Sequence, residues 1–332
     1  MQSPETFPAL AYETSLQLNA DGELRHLLTL KGLSRDLLTA LLDEAQHFVS
    51  QPGSATIRSR SLAGRTVANL FFEPSTRTRA SFDLAGKRLG ADVLNLDVNT
   101  SSRKKGESIL DMIYTLQAMH VDIMVIRDAS AGVPAYIAHH VEDHVSILNA
   151  GESDVSHPTQ GLLDLLTIRQ RLGKFENLIV TIVGDIAHSR VARSAAEGLH
   201  TLGVGELRLV SPPSLAAAPD DMPYARSLDN LDDGLRDANV VMALRIQRER
   251  IADLDGIPDS DQYFEQYGVS KKRLQVAAPD VIVMHPGPMN RGIEIESTLA
   301  DSPASVITQQ VSNGVAVRMA VLEWVSRTMA SR

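Results

Sequence analysis

Four consecutive residues, Ser75-Thr76-Arg77-Thr78, put three hydroxyls and a guanidinium side by side. They follow an apolar stretch, Val67–Phe72, that reads as a strand, and they open a segment with helical composition. The first N–H groups of a helix have no intrahelical acceptor, and the macrodipole adds partial positive charge there. A phosphate is readily held at such an end. The chemistry this points to is the binding of a small phosphorylated compound.

Similar groups recur where other apolar stretches end. Arg127 follows Ile126, and the chain beyond Leu148 runs through Asn149-Ala150-Gly151 to His157-Pro158-Thr159-Gln160. Gly184-Asp185 and then Arg190 follow Val183; Arg245 and Gln247 follow Ala243; His285-Pro286-Gly287-Pro288 follows Met284. The loop Asn99–Glu107, after Leu96, carries Ser101, Arg103, Lys104 and Lys105. In open parallel sheets ligands bind beyond the carboxyl ends of the strands, and arginine favours bidentate contact with phosphate and carboxylate. The set fits a compact, strongly anionic pair of ligands.

Taken singly, each member has a plainer explanation. Ser75–Thr78 could be a capped helix start with a solvated arginine, and Arg127 an ion-paired residue behind a buried strand. His157 could be a satisfied core histidine, and Lys104 and Lys105 part of a solvated loop. The recurrence at several strand ends carries the functional reading. Gly184-Asp185 resembles the start of a dinucleotide loop, but no G-x-G-x-x-G follows, which argues against a nicotinamide cofactor. His120, His139, His140 and His144 show no metal-like pairing, so no metal or other cofactor is expected.

The elements that must position these residues alternate. A helix capped by Ser34 carries a stripe of Leu37, Leu38, Leu41, Leu42, Ala45 and Phe48. Then come strand Val67–Phe72, helix Arg77–Leu89, strand Asp92–Leu96, helix Glu107–Met119, strand Ile123–Ile126, helix Val133–His140 and strand Val145–Leu148. The pattern restarts after Pro158 with helix Gln160–Arg171, strand Leu178–Val183, helix Val191–Leu202 and strand Glu206–Val210. Pro212–Pro223, with four prolines, reads as a loop. Helix Leu231–Arg236, strands Val240–Ala243 and Val281–Met284, and a long helix Val306–Met329 complete the chain. The fold class this implies is α/β, with two doubly wound parallel-sheet domains meeting near residues 150–160.

The 332-residue length suits two domains, and 43% hydrophobic with 22% charged residues is ordinary globular composition. A net charge of −9 disfavours a nucleic-acid partner. The absence of cysteine excludes disulfides and thiolate chemistry. No apolar run reaches the roughly 18 residues of a membrane span, and the N-terminus lacks a basic segment followed by an apolar one. A cytoplasmic location is expected. The first twenty or so residues read as an extension, either a disordered tail or an arm that docks on a partner subunit.

In order and spacing, FFEPSTRTRASF (71–82), NTSSRKKGES (99–108), HPTQ (157–160), VGDIAHSR (183–190) and HPGPMNRG (285–292) resemble the aspartate/ornithine carbamoyltransferase family. The likeness runs from about residue 22 to 330 and is greatest to catalytic subunits of the aspartate branch. It implies carbamoyl transfer from carbamoyl phosphate to L-aspartate, in pyrimidine biosynthesis. It implies an N-terminal extension over 1–21, a carbamoyl phosphate-binding domain over 22–157 and an aspartate-binding domain over 158–312. A C-terminal helix from about 313 to 332 would return to the first domain. Ser75, Thr76, Arg77 and Thr78 would hold the phosphate. Thr78, Arg127 and His157 would contact the carbonyl oxygen, and Gln160 the carbamoyl nitrogen. Arg190, Arg245 and Gln247 would bind the carboxylates of aspartate, with Gly287 and Pro288 completing the site. Ser101 and Lys105 would come from the neighbouring chain of a homotrimer. Whether trimers join a second type of subunit in an allosteric assembly stays open. One departure concerns the His-Pro-Leu-Pro-Arg motif of part of the family, which here has Gly287 and Met289, with an arginine only at Arg291. A backbone carbonyl contact from Gly287 survives that change.

Overall fold

The structure, a computed structural model, describes residues 14–51, 53–96, 108–247 and 256–329. The loop Asn99–Glu107, with Ser101 and Lys105, and residues 1–13 lie outside the described residues. By compactness the chain divides after Thr159, and the residues from Asn313 onward group with the first part.

The first unit begins with α1 (Thr14–Gln17) and α2 (Arg35–His47). It continues as β1 (Thr66–Phe71), α3 (Thr76–Arg88), β2 (Asp92–Leu96), α4 (Ile109–Ala118), β3 (Ile123–Asp128), α5 (Val133–Ala138) and β4 (Ser146–Glu152). The strands form a parallel sheet of order β2-β1-β3-β4. Strands covered on both faces read as nearly unbroken apolar runs, and Val67–Phe71 and Ile123–Ile126 are buried throughout. Ile109, Met112, Ile113 and Leu116 of α4, at helical spacing, pack with Val133 and Ile137 of α5 on one core with Leu70, Met124, Ile126 and Ile147. Part of the segment read as an extension is built in: Gln17 is buried and its side-chain oxygen accepts from the N–H groups of Leu28 and Thr29. His26 is buried nearby, and its Nδ1 accepts from the Ile147 N–H at 2.9 Å.

The helix α6 (Pro158–Leu172) crosses the division. The second unit then runs β5 (Ile179–Val183), α7 (Arg190–Thr201), β6 (Glu206–Val210), β7 (Arg226–Leu228), α8 (Leu231–Leu235), β8 (Val240–Ala243), α9 (Ser260–Tyr267), β9 (Ile282–Met284) and α10 (Ser297–Ala300). Its sheet is also parallel, of order β7-β6-β5-β8-β9. Val183, Val210, Val241 and Val283 of the sheet share a core with Leu231, Leu235, Tyr263, Tyr267 and Leu299. The last helix, α11 (Ile307–Thr328), starts in the second unit and passes at Asn313 into the first. There Thr328 donates to the Leu24 carbonyl at 2.5 Å and Glu323 accepts from Ser61 at 3.0 Å. No helix among the described residues is long and apolar enough to cross a membrane.

The two sheets share one consequence of their strand order. In each, successive connections run in opposite directions from a central pair, β1/β3 in the first and β5/β8 in the second. Such reversals open a crevice at the carboxyl ends of the strands.

Candidate active site

In the first unit the carboxyl ends of β1, β3 and β4, three adjacent strands, carry Ser75–Thr78, Arg127 and the approach to His157. Phe71 pairs with Arg127 in register, and the Arg127 carbonyl accepts from the N–H groups of Phe72 (2.8 Å) and Glu73 (3.4 Å). Those bonds bring the Glu73–Thr78 segment alongside the end of β3. Arg127 is buried; it donates to the Ala150 carbonyl at 3.1 Å and pairs with Glu73 at 3.1 Å. Arg127 is thus ion-paired, as its plainer reading has it. Its guanidinium is oriented by that carboxylate, and its five donors allow further acceptors.

Ser75 occupies the N-cap of α3 in extended backbone conformation, yet its hydroxyl makes no capping bond. Elsewhere serine does cap: Ser34, Ser108 and Ser189 each accept from an N–H three residues on. At α3 the Ser75 hydroxyl takes no part in capping the helix. Thr76 and Arg77 are exposed and Thr78 is buried. Behind them the buried Asn69 donates to Asn95, which donates to Asp83. Burial pushes the Asp83 carboxyl up, but its bonds from Lys87 and Asn95 outweigh this and hold it below the usual range.

Beyond β4 the chain is fixed by Glu152, fully buried, which accepts from the Gly132 N–H and from Asn149. The Glu152 N–H donates to the Ser156 carbonyl at 2.9 Å, closing the turn before His157. His157 is buried and immediately precedes α6.

In the second unit the carboxyl ends of β5, β8 and β9, again adjacent, carry the segments leading to Arg190, Arg245–Gln247 and His285–Pro288. Gly184 lies at φ +135, and a Cβ there would stand 2.5 Å from the Leu244 carbonyl oxygen. Only glycine allows the two strand exits to approach this closely. Asp185 is fully buried and joins them: it accepts from the His188 N–H (3.2 Å), the His188 ring (2.8 Å) and the Gln247 N–H (3.0 Å). The Gln247 side chain donates to the His188 carbonyl at 2.8 Å. Arg190 is buried at the first position of α7, and Arg245 is half-buried.

The loop beyond β9 is organised by a second carboxylate. His285 accepts the Gly287 N–H at Nδ1 (2.8 Å) and therefore carries its proton on Nε2, which donates to Glu294 at 3.0 Å. Glu294 also accepts from the Asn290 N–H. Gly287 lies at φ +65 and its bond to Pro288 is cis. Gln310 accepts from the His285 N–H and donates to Asp164, which also accepts from Gln160 at 3.0 Å. Arg291 forms a two-point pair with Asp301 and donates to the Ser297 carbonyl.

Asp164, Glu152 and Glu294, which organise these loops, were not among the candidates. Asp164 had a sequence signal, lying four residues after Gln160 on one helix face. Glu152 and Glu294 had none, because in sequence a buried carboxylate at a strand end or in a loop looks like a solvated one.

Family comparison matches residues 25–170 to the carbamoyl-P binding domain and residues 176–325 to the Asp/Orn binding domain of the aspartate/ornithine carbamoyltransferases. The chain belongs to this family. Among solved structures it is similar to Trypanosoma cruzi aspartate transcarbamoylase in complex with carbamoyl phosphate and aspartate, at 27% identity and TM-score 0.82, covering 95% of this chain and 100% of that one. The same enzyme with N-(phosphonacetyl)-L-aspartic acid matches at 27% identity and TM-score 0.82, covering 95% and 99%. Ornithine carbamoyltransferase from Thermus thermophilus matches at 25% identity and TM-score 0.79, covering 91% and 98%. The two-sheet α/β architecture is that of these carbamoyltransferases.

Proposed function

We propose that the chain transfers the carbamoyl group of carbamoyl phosphate to the amine of L-aspartate, giving N-carbamoyl-L-aspartate and phosphate. The observation that carries this is the basic, hydroxyl and amide side chains following the ends of three adjacent strands in each unit, in a chain whose two halves match the two family domains. Similarity to a trypanosomal enzyme solved with carbamoyl phosphate and aspartate supports the same pair of substrates. Arg190 and Arg245 suit the carboxylates of aspartate better than the second amine of ornithine.

In this reading Ser75, Thr76, Arg77 and the first turn of α3 hold the phosphate. The aspartate amine attacks the carbonyl carbon; a C–N bond forms and the C–O bond to phosphate breaks. Negative charge grows on the carbonyl oxygen, where Thr78, Arg127 and His157 supply preorganised donors. Gln160 orients the carbamoyl nitrogen. The amine proton passes to the departing phosphate, so no enzyme base is required. Holding two anions in reactive geometry accounts for much of the acceleration.

A homotrimer in which Ser101 and Lys105 reach a neighbour's site belongs to the same proposal. Mixing an Arg77 variant with a Lys105 variant then restores activity in hybrid trimers; no recovery in verified hybrids means Lys105 serves its own chain. The function itself is tested by incubating the purified chain with carbamoyl phosphate and either L-aspartate or L-ornithine. Carbamoyl-aspartate is the expected product. Product from ornithine alone would overturn the reading of Arg190 and Arg245.

A further inference from the structure

Tyr263, on α9, is the largest fully buried side chain of the molecule's described residues, and its hydroxyl makes no hydrogen bond to any of them. A buried hydroxyl without a partner costs stability, so its presence calls for a reason. Its surroundings supply one. Tyr263 shares a core with Val183, Ile246 and Ile295, which flank the two loop systems held by Asp185 and Glu294. The chain leaving α9 is stitched to the same loop, the Val269 N–H donating to the Glu294 carbonyl and the Glu296 N–H to that of Val269. The Glu294 and Asp185 carboxylates lie within electrostatic reach of the phenol and, after burial itself, push its pKa upward. The phenol therefore stays neutral and can only offer a proton to a carboxylate. Glu294 has a place for it: Oε1 takes the bonds from His285 and Asn290, whereas Oε2 is buried with no donor among the described residues.

We propose that the Tyr263 hydroxyl is a positioning group of the acceptor half, donating to Glu294 Oε2 when the acceptor is bound and so locking the loop that carries Gly287 and Pro288. The inference rests on the reading of the second unit as the aspartate-binding half. Unpaired, the hydroxyl is a cost to stability; its hydrogen bond to Glu294 forms with acceptor binding and fixes the loop through His285 and Asn290.

The test is Tyr263→Phe, which keeps the ring in the core and removes only the hydroxyl. Without ligand, the variant's Tm stays at or above that of the wild type. The KM for aspartate rises about tenfold, the size of one hydrogen bond to a charged group, while the KM for carbamoyl phosphate is unchanged. In a Glu294→Gln background the same substitution has no further effect on the aspartate KM, since the two act as one unit. An unchanged aspartate KM, an equal rise for both substrates, or additive effects in the double variant would overturn the proposal. If the wild type makes no carbamoyl-aspartate, the functional reading has failed first. The ligand-free Tm then decides alone: a Tyr263→Phe chain melting well below wild type would show the hydroxyl already satisfied and refute the inference.

Discussion

The segment Glu73–Thr78 in the first unit and the loops beyond β5, β8 and β9 in the second are placed by different means. The first hangs on main-chain bonds to the end of β3, the Arg127 carbonyl taking the N–H groups of Phe72 and Glu73. The second hang on buried side chains, Asp185 drawing in His188 and Gln247, and Glu294 drawing in His285 and Asn290. Main-chain bonds survive most substitutions. A carboxylate that gathers loop donors is a single point of failure, because removing it leaves several buried donors unpaired at once. The Glu73–Thr78 segment should thus tolerate changes in residues that touch no ligand, and the loops gathered by Asp185 and Glu294 should not.

The largest effect is expected where the second arrangement is cut. Asp185→Asn replaces an acceptor of three bonds with a group that must also donate, and the aspartate KM should rise by roughly one to two orders of magnitude. The KM for carbamoyl phosphate should move little. Steady-state kinetics with each substrate varied in turn checks this; equal changes in both would erase the contrast between the halves.

A smaller effect separates the two units by acid. Burial, then the charges of Arg25 and His139, lower the His26 pKa from 6.5 to about 3. Protonation of Nδ1 would also destroy its bond from Ile147. Because the folded pKa is depressed, the unfolded chain binds the extra proton. Stability is full above pH 6.5 and is lost as pH falls toward 3, by about 2 kcal/mol at pH 5. Hydrogen exchange at pH 7 and pH 5 should show the amides of the first sheet losing more protection than those of the second, and His26→Asn should flatten the difference. A pH-independent first sheet would contradict it.

The smallest effect sharpens the role of the α3 start. Because the Ser75 hydroxyl does no capping, Ser75→Ala should change stability by less than about 0.5 kcal/mol, whereas Ser108→Ala or Ser189→Ala should cost about 1 kcal/mol by losing real caps. Denaturant melts of the three variants decide this. A Ser75→Ala cost equal to the other two would mean that the hydroxyl serves the fold.

Much of this architecture is legible in the sequence because parallel strands buried on both faces leave apolar runs, and β1, β2, β6 and β8 stand within one residue of where those runs lie. The misses have physical reasons. β4 continues to Glu152, four residues past Leu148, since Asn149, Gly151 and Glu152 satisfy one another inside the protein while reading as a polar exit. β7 is an edge strand whose Arg226 and Ser227 are exposed, so it gives no apolar signal. α9 starts at a capping box of Asp259 and Gln262, and its buried residues Tyr263 and Tyr267 are spaced four apart. That spacing was present in the sequence but lies behind a long polar stretch. The candidate cations are chosen in the sequence by type and place. The carboxylates that hold their loops are not, because burial is a property of the fold.

The central claim is a division of labour, carbamoyl phosphate to the first unit and the acceptor to the second. Calorimetric titration of carbamoyl phosphate into the wild type, Arg77→Ala and Arg190→Ala tests it most directly. Arg77→Ala should weaken binding at least about a hundredfold, by removing a charge-assisted contact to phosphate, and Arg190→Ala should leave it within about twofold. Loss of carbamoyl phosphate binding in Arg190→Ala, or normal binding in Arg77→Ala, would contradict the account.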